Sequence, residues 1–366
     1  MHIIEKTALH SLHTELKAKI TPFAGYAMPL HYPPGIIKEH LHTRTKAGLF
    51  DISHMGQIRL TGDQSAAELE KLVPSNIQTL QPGQQRYTAL TNKSGGIIDD
   101  LIIANLDKYL LLIVNASRKD AVVQHLQIHL PHHCQIELLT EQALLALQGP
   151  QAVTVLQQNE KQLSKMPYMS IRQTEINNIP CTISRSGYTG EDGFEISVAN
   201  IFANNLAQRL LSHTEVLPIG LGARDSLRLE AGFCLYGHEL STEITAVEAN
   251  LSWLVAKERT DYLGAKRTLY QFREGAQHYR VGIQTSGKSI LRSGTDLYDS
   301  QGNKVGKISS GSFGASLQKP VAMAYVIAEV IAPGTTFFCQ QRGHDIPVSL
   351  TPLPFVKHRY YRETKS

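Results

Sequence analysis

The chain has 366 residues, of which 42% are hydrophobic and 19% charged, and a formal net charge of +4. That length allows two or three cored domains, and no Lys/Arg cluster is dense enough to make a nucleic-acid stripe. No apolar run reaches membrane-spanning length, and the N-terminus has neither a signal-peptide core nor an Arg/Ser-rich transit segment. A cytoplasmic protein with no nucleic-acid and no membrane partner is expected. The four cysteines, Cys134, Cys181, Cys234 and Cys339, lie far apart with no C-x-x-C pair, which argues for reduced thiols rather than a metal or redox motif.

Residues 1–35 are rich in turn formers. The run Pro22-Phe23-Ala24-Gly25-Tyr26-Ala27-Met28-Pro29 excludes a long helix and predicts a shaped loop or short strands, with aromatics available to a pocket. Residues 38–46 read as a helix stopped by Gly48, and residues 49–60 as one strand-like stretch with polar interruptions. An amphipathic helix over 63–73 ends at Pro74. Residues 83–91, 97–104 and 109–115 predict a three-strand meander. Ser117-Arg118-Lys119-Asp120 opens a helix with a weak capping box, since Asp is shorter than the usual Glu. A short helix follows Gly149-Pro150, and the polar stretch 157–165 reads as surface.

Residues 181–185 look like a strand that runs into a glycine-punctuated loop, 186–193. Alternation over 194–198 turns Phe194, Ile196 and Val198 to a core and Glu195 the other way. Residues 223–231, bracketed by Gly222 and Gly232, have good helix propensity. Arg224 and Arg228 stand at i, i+4 on one face there, which is unfavourable unless an acceptor sits between or above them. Beyond residue 271, short apolar runs separated by Gly, Ser or Pro predict a separate all-β, barrel-type module from about residue 276.

The stretch Gly95-Gly96-Ile97-Ile98-Asp99-Asp100-Leu101-Ile102-Ile103 sets two carboxylates inside an apolar strand. A buried ionised carboxylate needs a partner or a raised pKa. Alternation puts Ile98, Asp100 and Ile102 on one face and Ile97, Asp99, Leu101 and Ile103 on the other. At most one of the two acids then faces a given cavity. A solvated or capped strand-end pair fits the same residues.

Short motifs mislead. Residues 282–289 match the phosphate-loop pattern G-x-x-x-x-G-K-[ST], but a short apolar pair and a turn follow where a helix is required, so a β turn is expected. Gly220-Leu221-Gly222 fails the dinucleotide fingerprint at Asp225. His40-Leu41-His42 and His132-His133 lack metal-site spacing, and no G-x-S-x-G elbow supports nucleophilic hydrolysis.

Longer motifs, in order, carry more. They include Thr21-Pro22-Phe23-Ala24-Gly25, Phe50-Asp51-Ile52-Ser53-His54-Met55-Gly56, Gly95-Gly96-Ile97-Ile98-Asp99-Asp100-Leu101, Gly187-Tyr188-Thr189-Gly190-Glu191-Asp192-Gly193-Phe194-Glu195, Ala223-Arg224-Asp225-Ser226-Leu227-Arg228 and Pro354-Phe355-Val356. With these, nearly the whole chain resembles the glycine cleavage T-protein family of tetrahydrofolate-dependent aminomethyltransferases. Two local departures are Thr245-Ala246-Val247-Glu248, without the family's proline, and Ser310-Gly311-Ser312-Phe313-Gly314-Ala315-Ser316-Leu317.

The resemblance implies an α+β fold of three domains around a central folate cavity. Two interleaved domains occupy residues 1–275 (about 1–50 plus 140–275, and 51–139), and a β-barrel-type domain occupies 276–366. It implies transfer of an aminomethyl carbon from the lipoyl arm of the H protein to tetrahydrofolate as co-substrate, with no metal and no pyridoxal phosphate. Carried over by motif, the catalytic acid falls on Asp100 and the substrate contacts on Glu195, Arg224 and Tyr360. Tyr87, Asn115 and Tyr188 match cavity-lining positions. A folate-binding iron–sulfur maintenance paralogue would carry K-G-C-[FY]-x-G-Q-E, absent here, and a flavin-linked demethylating enzyme would need a flavin domain for which this chain has no room.

Overall fold

The computed structural model describes residues 4–158, 161–285, 287–332, 334–341 and 344–362. Two sheets and a barrel each bury a separate apolar cluster. The six-stranded sheet runs in the order Ser170–Ile176, Ile179–Arg185, Gly193–Ala199, Gln142–Gln148, Ala47–Asp51, Val216–Ile219. It is antiparallel except at its last pair. Phe194, Ile196 and Val198 enter its core, as their alternation requires, beside Leu206 and Leu210 of helix Asn200–Leu211.

The five-stranded sheet runs Gln85–Thr91, Ile97–Asn105, Leu110–Val114, Gly56–Thr61, Gln135–Leu138. Its strands lie between the two stretches that build the six-stranded sheet, which is the interleaving expected of the fold class. Helix Lys119–His129 covers it with Val122 and Leu126. That helix starts after a single 3-10 turn and carries no side-chain cap, in keeping with its weak capping box.

The predicted strand over 49–60 is two strands, Ala47–Asp51 and Gly56–Thr61, in different sheets. The polar interruption at Ser53 and His54 is the crossing between them. Residues 19–31 form a hairpin of Lys19–Phe23 and Tyr26–His31, the short-strand alternative of the two expected there. The helix predicted over 63–73 is one short segment, Ser65–Glu70.

The C-terminal module is a closed six-strand barrel that opens with His278–Thr285. The phosphate-loop pattern lies in that strand and the bends after it, and no helix follows among the described residues; its Ser286, like positions 159 and 160 of the predicted surface stretch 157–165, lies outside the described residues. Helix Leu221–Glu230 packs against barrel strands Lys304–Gly314 and Lys319–Ile327, bringing barrel and sheets together around its two ends.

Candidate active site

The meander brings Asp100 to the wall of a cavity of about 700 Å³, within the ~300–1,000 Å³ range of small-molecule sites. Tyr87 on the neighbouring strand donates its hydroxyl to Asp100 Oδ2 at 2.9 Å. Asn115, one residue past strand Leu110–Val114, donates Nδ2 to Asp100 Oδ1 at 2.7 Å.

The alternation expected along this strand breaks at Ile98. The pairing of strands Gln85–Thr91 and Ile97–Asn105 slips between Leu90 and Thr91, so that Ile98 is an extra, bulged residue. Ile98 packs with Leu101 and Ile103, while Ile97 joins the opposite cluster with Ala89, reversing the faces expected for 97 and 98. Asp99 does turn from the cavity, yet the two acids are not separated. Asn115 also gives Nδ2 to Asp99 Oδ1 at 2.8 Å and its backbone N–H to Asp99 Oδ2 at 3.1 Å. One amide thus bridges both carboxylates. Burial raises the pKa of each, Asp100's charge adds to the rise at Asp99, and the Tyr87 and Asn115 hydrogen bonds oppose the rise at Asp100.

The opposite wall comes from the six-stranded sheet and helix Leu221–Glu230. Glu195 faces the cavity, away from the apolar side of its strand, and accepts from Ser186 Oγ at 2.6 Å. Tyr188 hydrogen-bonds the Cys234 carbonyl and presents its ring to the Arg224 guanidinium, 4.7 Å away. The loop that carries Tyr188 is pinned by Gln148, which bonds the Ser186 carbonyl and Thr189. A Cβ at Gly187 would stand 1.8 Å from Gln148 Oε1, so no larger residue fits there.

The two arginines of that helix differ in their partners. Arg228 bonds Asp225, Glu239, Ser310 and the Phe233 carbonyl at 2.8–3.2 Å. Those acceptors resolve the i, i+4 repulsion expected from sequence. Arg224 makes one weak hydrogen bond, Nη2 to Met55 Sδ at 3.9 Å, and its buried Nη1 has no partner. Burial lowers its pKa, and the nearby Glu195 charge opposes that. His54 on the crossing loop also faces the cavity with a buried, unpartnered Nδ1, and burial lowers its pKa to about 4.

Six of the expected residues, Asp100, Glu195, Arg224, Tyr87, Asn115 and Tyr188, line this one cavity. Tyr360 is not among the residues lining it. It stacks on Tyr168, ring centroids 4.0 Å apart, and Tyr168 forms the wall. His358 and Phe233 continue the stack to Tyr188, so the C-terminal segment braces the aromatic side from behind.

Sequence reading missed Ser186, Tyr168, His54 and the exposed Trp253, which stacks on Tyr87 at 5.9 Å. Only Trp253, the single tryptophan in the chain, carried a signal that composition shows. His40 is a core histidine, bonded to Ser226 and Glu230. Among the described residues, no group of three or more His, Cys, Asp or Glu is placed to hold a metal ion.

Comparison with known proteins gives one family. A family described as the GCVT N-terminal domain matches residues 9–259, and the glycine cleavage T-protein C-terminal barrel domain matches residues 279–357. The mitochondrial aminomethyltransferase of Dictyostelium discoideum is 38% identical over 98% of this chain and 94% of its own length. The aminomethyltransferase of Synechococcus elongatus is 40% identical over 97% of this chain and 96% of its own. The crystal structure of the glycine cleavage system aminomethyltransferase T from Bartonella henselae superposes with a TM-score of 0.93 at 41% identity, covering 98% of this chain and all of that one.

Proposed function

The chain belongs to the glycine cleavage T-protein family of aminomethyltransferases, and from that premise we propose how its cavity carries out the family's reaction. The enzyme transfers the aminomethyl carbon of S-aminomethyl-dihydrolipoyl H protein to tetrahydrofolate. The C–S and C–N bonds break, two bonds form from that carbon to N5 and N10, and dihydrolipoyl H protein and ammonia leave. The two hydrogens lost from N5 and N10 balance those gained by sulfur and ammonia.

In this reading Glu195, held by Ser186, accepts from the N–H edge of the pterin, and Arg224 offers its unmatched N–H to a pterin oxygen. Asp100 faces N5 and N10, orients the nucleophile and stabilises the cationic carbon as ammonia departs. Tyr87 and Asn115 fix the Asp100 carboxylate, Tyr188 packs on Arg224, and Tyr360 acts by bracing Tyr168. The observation that supports this most is a buried guanidinium N–H left without an acceptor in the same cavity as two carboxylates, because burying such a donor unpaired costs about 1–3 kcal/mol or more.

The reading includes lipoylated H protein and tetrahydrofolate as partners, no metal and no pyridoxal phosphate. Its domains are about 1–50 plus 140–275, 51–139 and 276–366, of which 1–3, 159–160, 286, 333, 342–343 and 363–366 lie outside the described residues. We place the enzyme in the cytoplasm, where its four free, buried thiols stay reduced; no described helix is long and apolar enough to cross a membrane. Ammonia release from aminomethylated H protein, measured with and without tetrahydrofolate, tests the assignment. Tetrahydrofolate-independent release at the full rate would overturn it.

A further inference from the structure

Charge matching around the cavity singles out a third arginine. Arg118 follows Ser117 in the 3-10 turn Ala116–Arg118, and Ser117 itself lines the cavity. Its Nε donates to the Ile98 carbonyl, the carbonyl of the bulged residue, at 3.0 Å. Its guanidinium lies 4.5 Å over the ring of Tyr236, another wall residue. Those two contacts fix the group in place but use only Nε and one π-face. Nη1 and Nη2 make no hydrogen bond among the described residues, and no carboxylate there lies within ion-pair distance. The outcome is an oriented, half-buried guanidinium beside the cavity wall, with its Nη1/Nη2 edge bonded to no described protein group.

The cavity reaches solvent beside Arg118. Ser117, His238 and Trp253 all line it and all are exposed. The location matters because burying an ionised carboxylate is expensive, whereas a half-exposed one beside a guanidinium retains most of its hydration. Arg224 is buried, sits in the field of Glu195 and leaves its buried Nη1 without a partner; a neutral carbonyl can meet it there without the cost of burying a second ionised carboxylate. Arg118 is half-buried and offers a parallel Nη1/Nη2 pair, the geometry that carboxylates take in two parallel hydrogen bonds.

We propose that Arg118 is the receptor for the glutamyl carboxylate of the folate substrate, with Tyr236 as the platform that holds it. The proposal rests on the folate reading and assigns the substrate's charged tail to the Arg118–Tyr236 rim and its neutral pterin to Arg224 and Glu195. Tail recognition then contributes to substrate affinity without touching the reacting atoms.

The test is calorimetric titration of the enzyme with tetrahydrofolate and with tetrahydropteroate, which lacks the glutamyl group. Wild type is expected to bind tetrahydrofolate roughly ten- to a hundredfold more tightly, the range of one charge-assisted hydrogen-bonded pair. Arg118→Met, which keeps the stem against Tyr236, is expected to lose that preference by weakening tetrahydrofolate alone. Arg118→Lys, which restores charge but not the fork, is expected to recover part of it. Equal weakening of both ligands would overturn the proposal and make Arg118 a brace for the Ile98 bulge. So would unchanged tetrahydrofolate binding in Arg118→Met, or a wild type that does not distinguish the two ligands, a comparison that needs no variant to fold. A wild type that binds neither ligand would overturn the folate reading itself.

Discussion

Two of the regions that bury charge in this molecule treat it oppositely. Where helix Ile36–Thr45 meets helix Leu221–Glu230 and the barrel, Arg44 pairs with Glu191 at 2.9 Å and Glu230 at 3.0 Å. His40 and the Ser316 backbone N–H also bond Glu230, and Arg359 of the C-terminal segment bonds Glu191. These contacts outweigh burial and draw the Glu230 pKa down to about 2. In the cavity, burial wins: both adjacent aspartates are raised, His54 is lowered, and Arg224 keeps an N–H with no acceptor. Matched buried charge joins the layers of the fold. Unmatched buried charge, held in place by its neighbours, leaves partners for a substrate to supply.

The largest expected effect breaks the matched region. Arg44→Met removes the one guanidinium that pairs with both Glu191 and Glu230 and should cost about 3–5 kcal/mol of stability in denaturant unfolding. A loss below about 1 kcal/mol would mean that His40, Ser316 and Arg359 satisfy those acids without Arg44. The same network sets an acid limb. Because the Glu230 pKa is depressed on folding, its contribution is complete above the ordinary glutamate value near ~4.3 and is lost as pH falls toward about 2. Glu230→Gln should flatten stability over that acid range.

Next in size is Asp100→Asn, which keeps the shape of the cavity wall and removes the charge. Turnover with aminomethylated H protein should fall by a factor of about 10² or more, while tetrahydrofolate affinity changes far less, because the interaction strengthens in the transition state. Equal losses in affinity and turnover would demote Asp100 to a binding group.

Arg224→Met and Arg228→Met sharpen the contrast within one helix. The first should weaken tetrahydrofolate binding by about 1.5–3 kcal/mol with little change in melting temperature. The second should chiefly lower the melting temperature, since Arg228 already holds four protein acceptors. Matching affinity losses in two folded variants would cancel the distinction.

The smallest effect is a shift along the pH axis. Asp99→Asn removes one acid of the pair that Asn115 bridges, so the limb of the pH–rate profile set by their joint titration should move. In the wild type, the raised aspartates make folding weaken as pH rises above the ordinary carboxylate range near ~4; the variant should lessen that decline. A pH–rate limb that stays where it was would show that the Asn115 bridge does not couple the two acids.

Periodicity and residue chemistry alone placed the meander, the helix around Arg224, the outward turn of Glu195 and the barrel character of the C-terminal module. Each of these depends on a face repeated every 2 or 3.6 residues, or on a local breaker, and so is written in neighbouring letters. Motifs in order carried the family and six residues that share one cavity. What neighbouring letters did not hold was decided across the fold. The bulge at Ile98 exists only in register with strand Gln85–Thr91. The convergence of Asp99 and Asp100 depends on Asn115, sixteen and fifteen residues away. The split of residues 47–61 between two sheets is set by what each half pairs with, Gln142–Gln148 or Leu110–Val114. Tyr360 stands behind Tyr168 because Arg359 of the C-terminal segment bridges Glu191 in the loop before strand Gly193–Ala199. Pairing partners and packing depth are properties of two distant stretches at once, and no periodicity within either one encodes them.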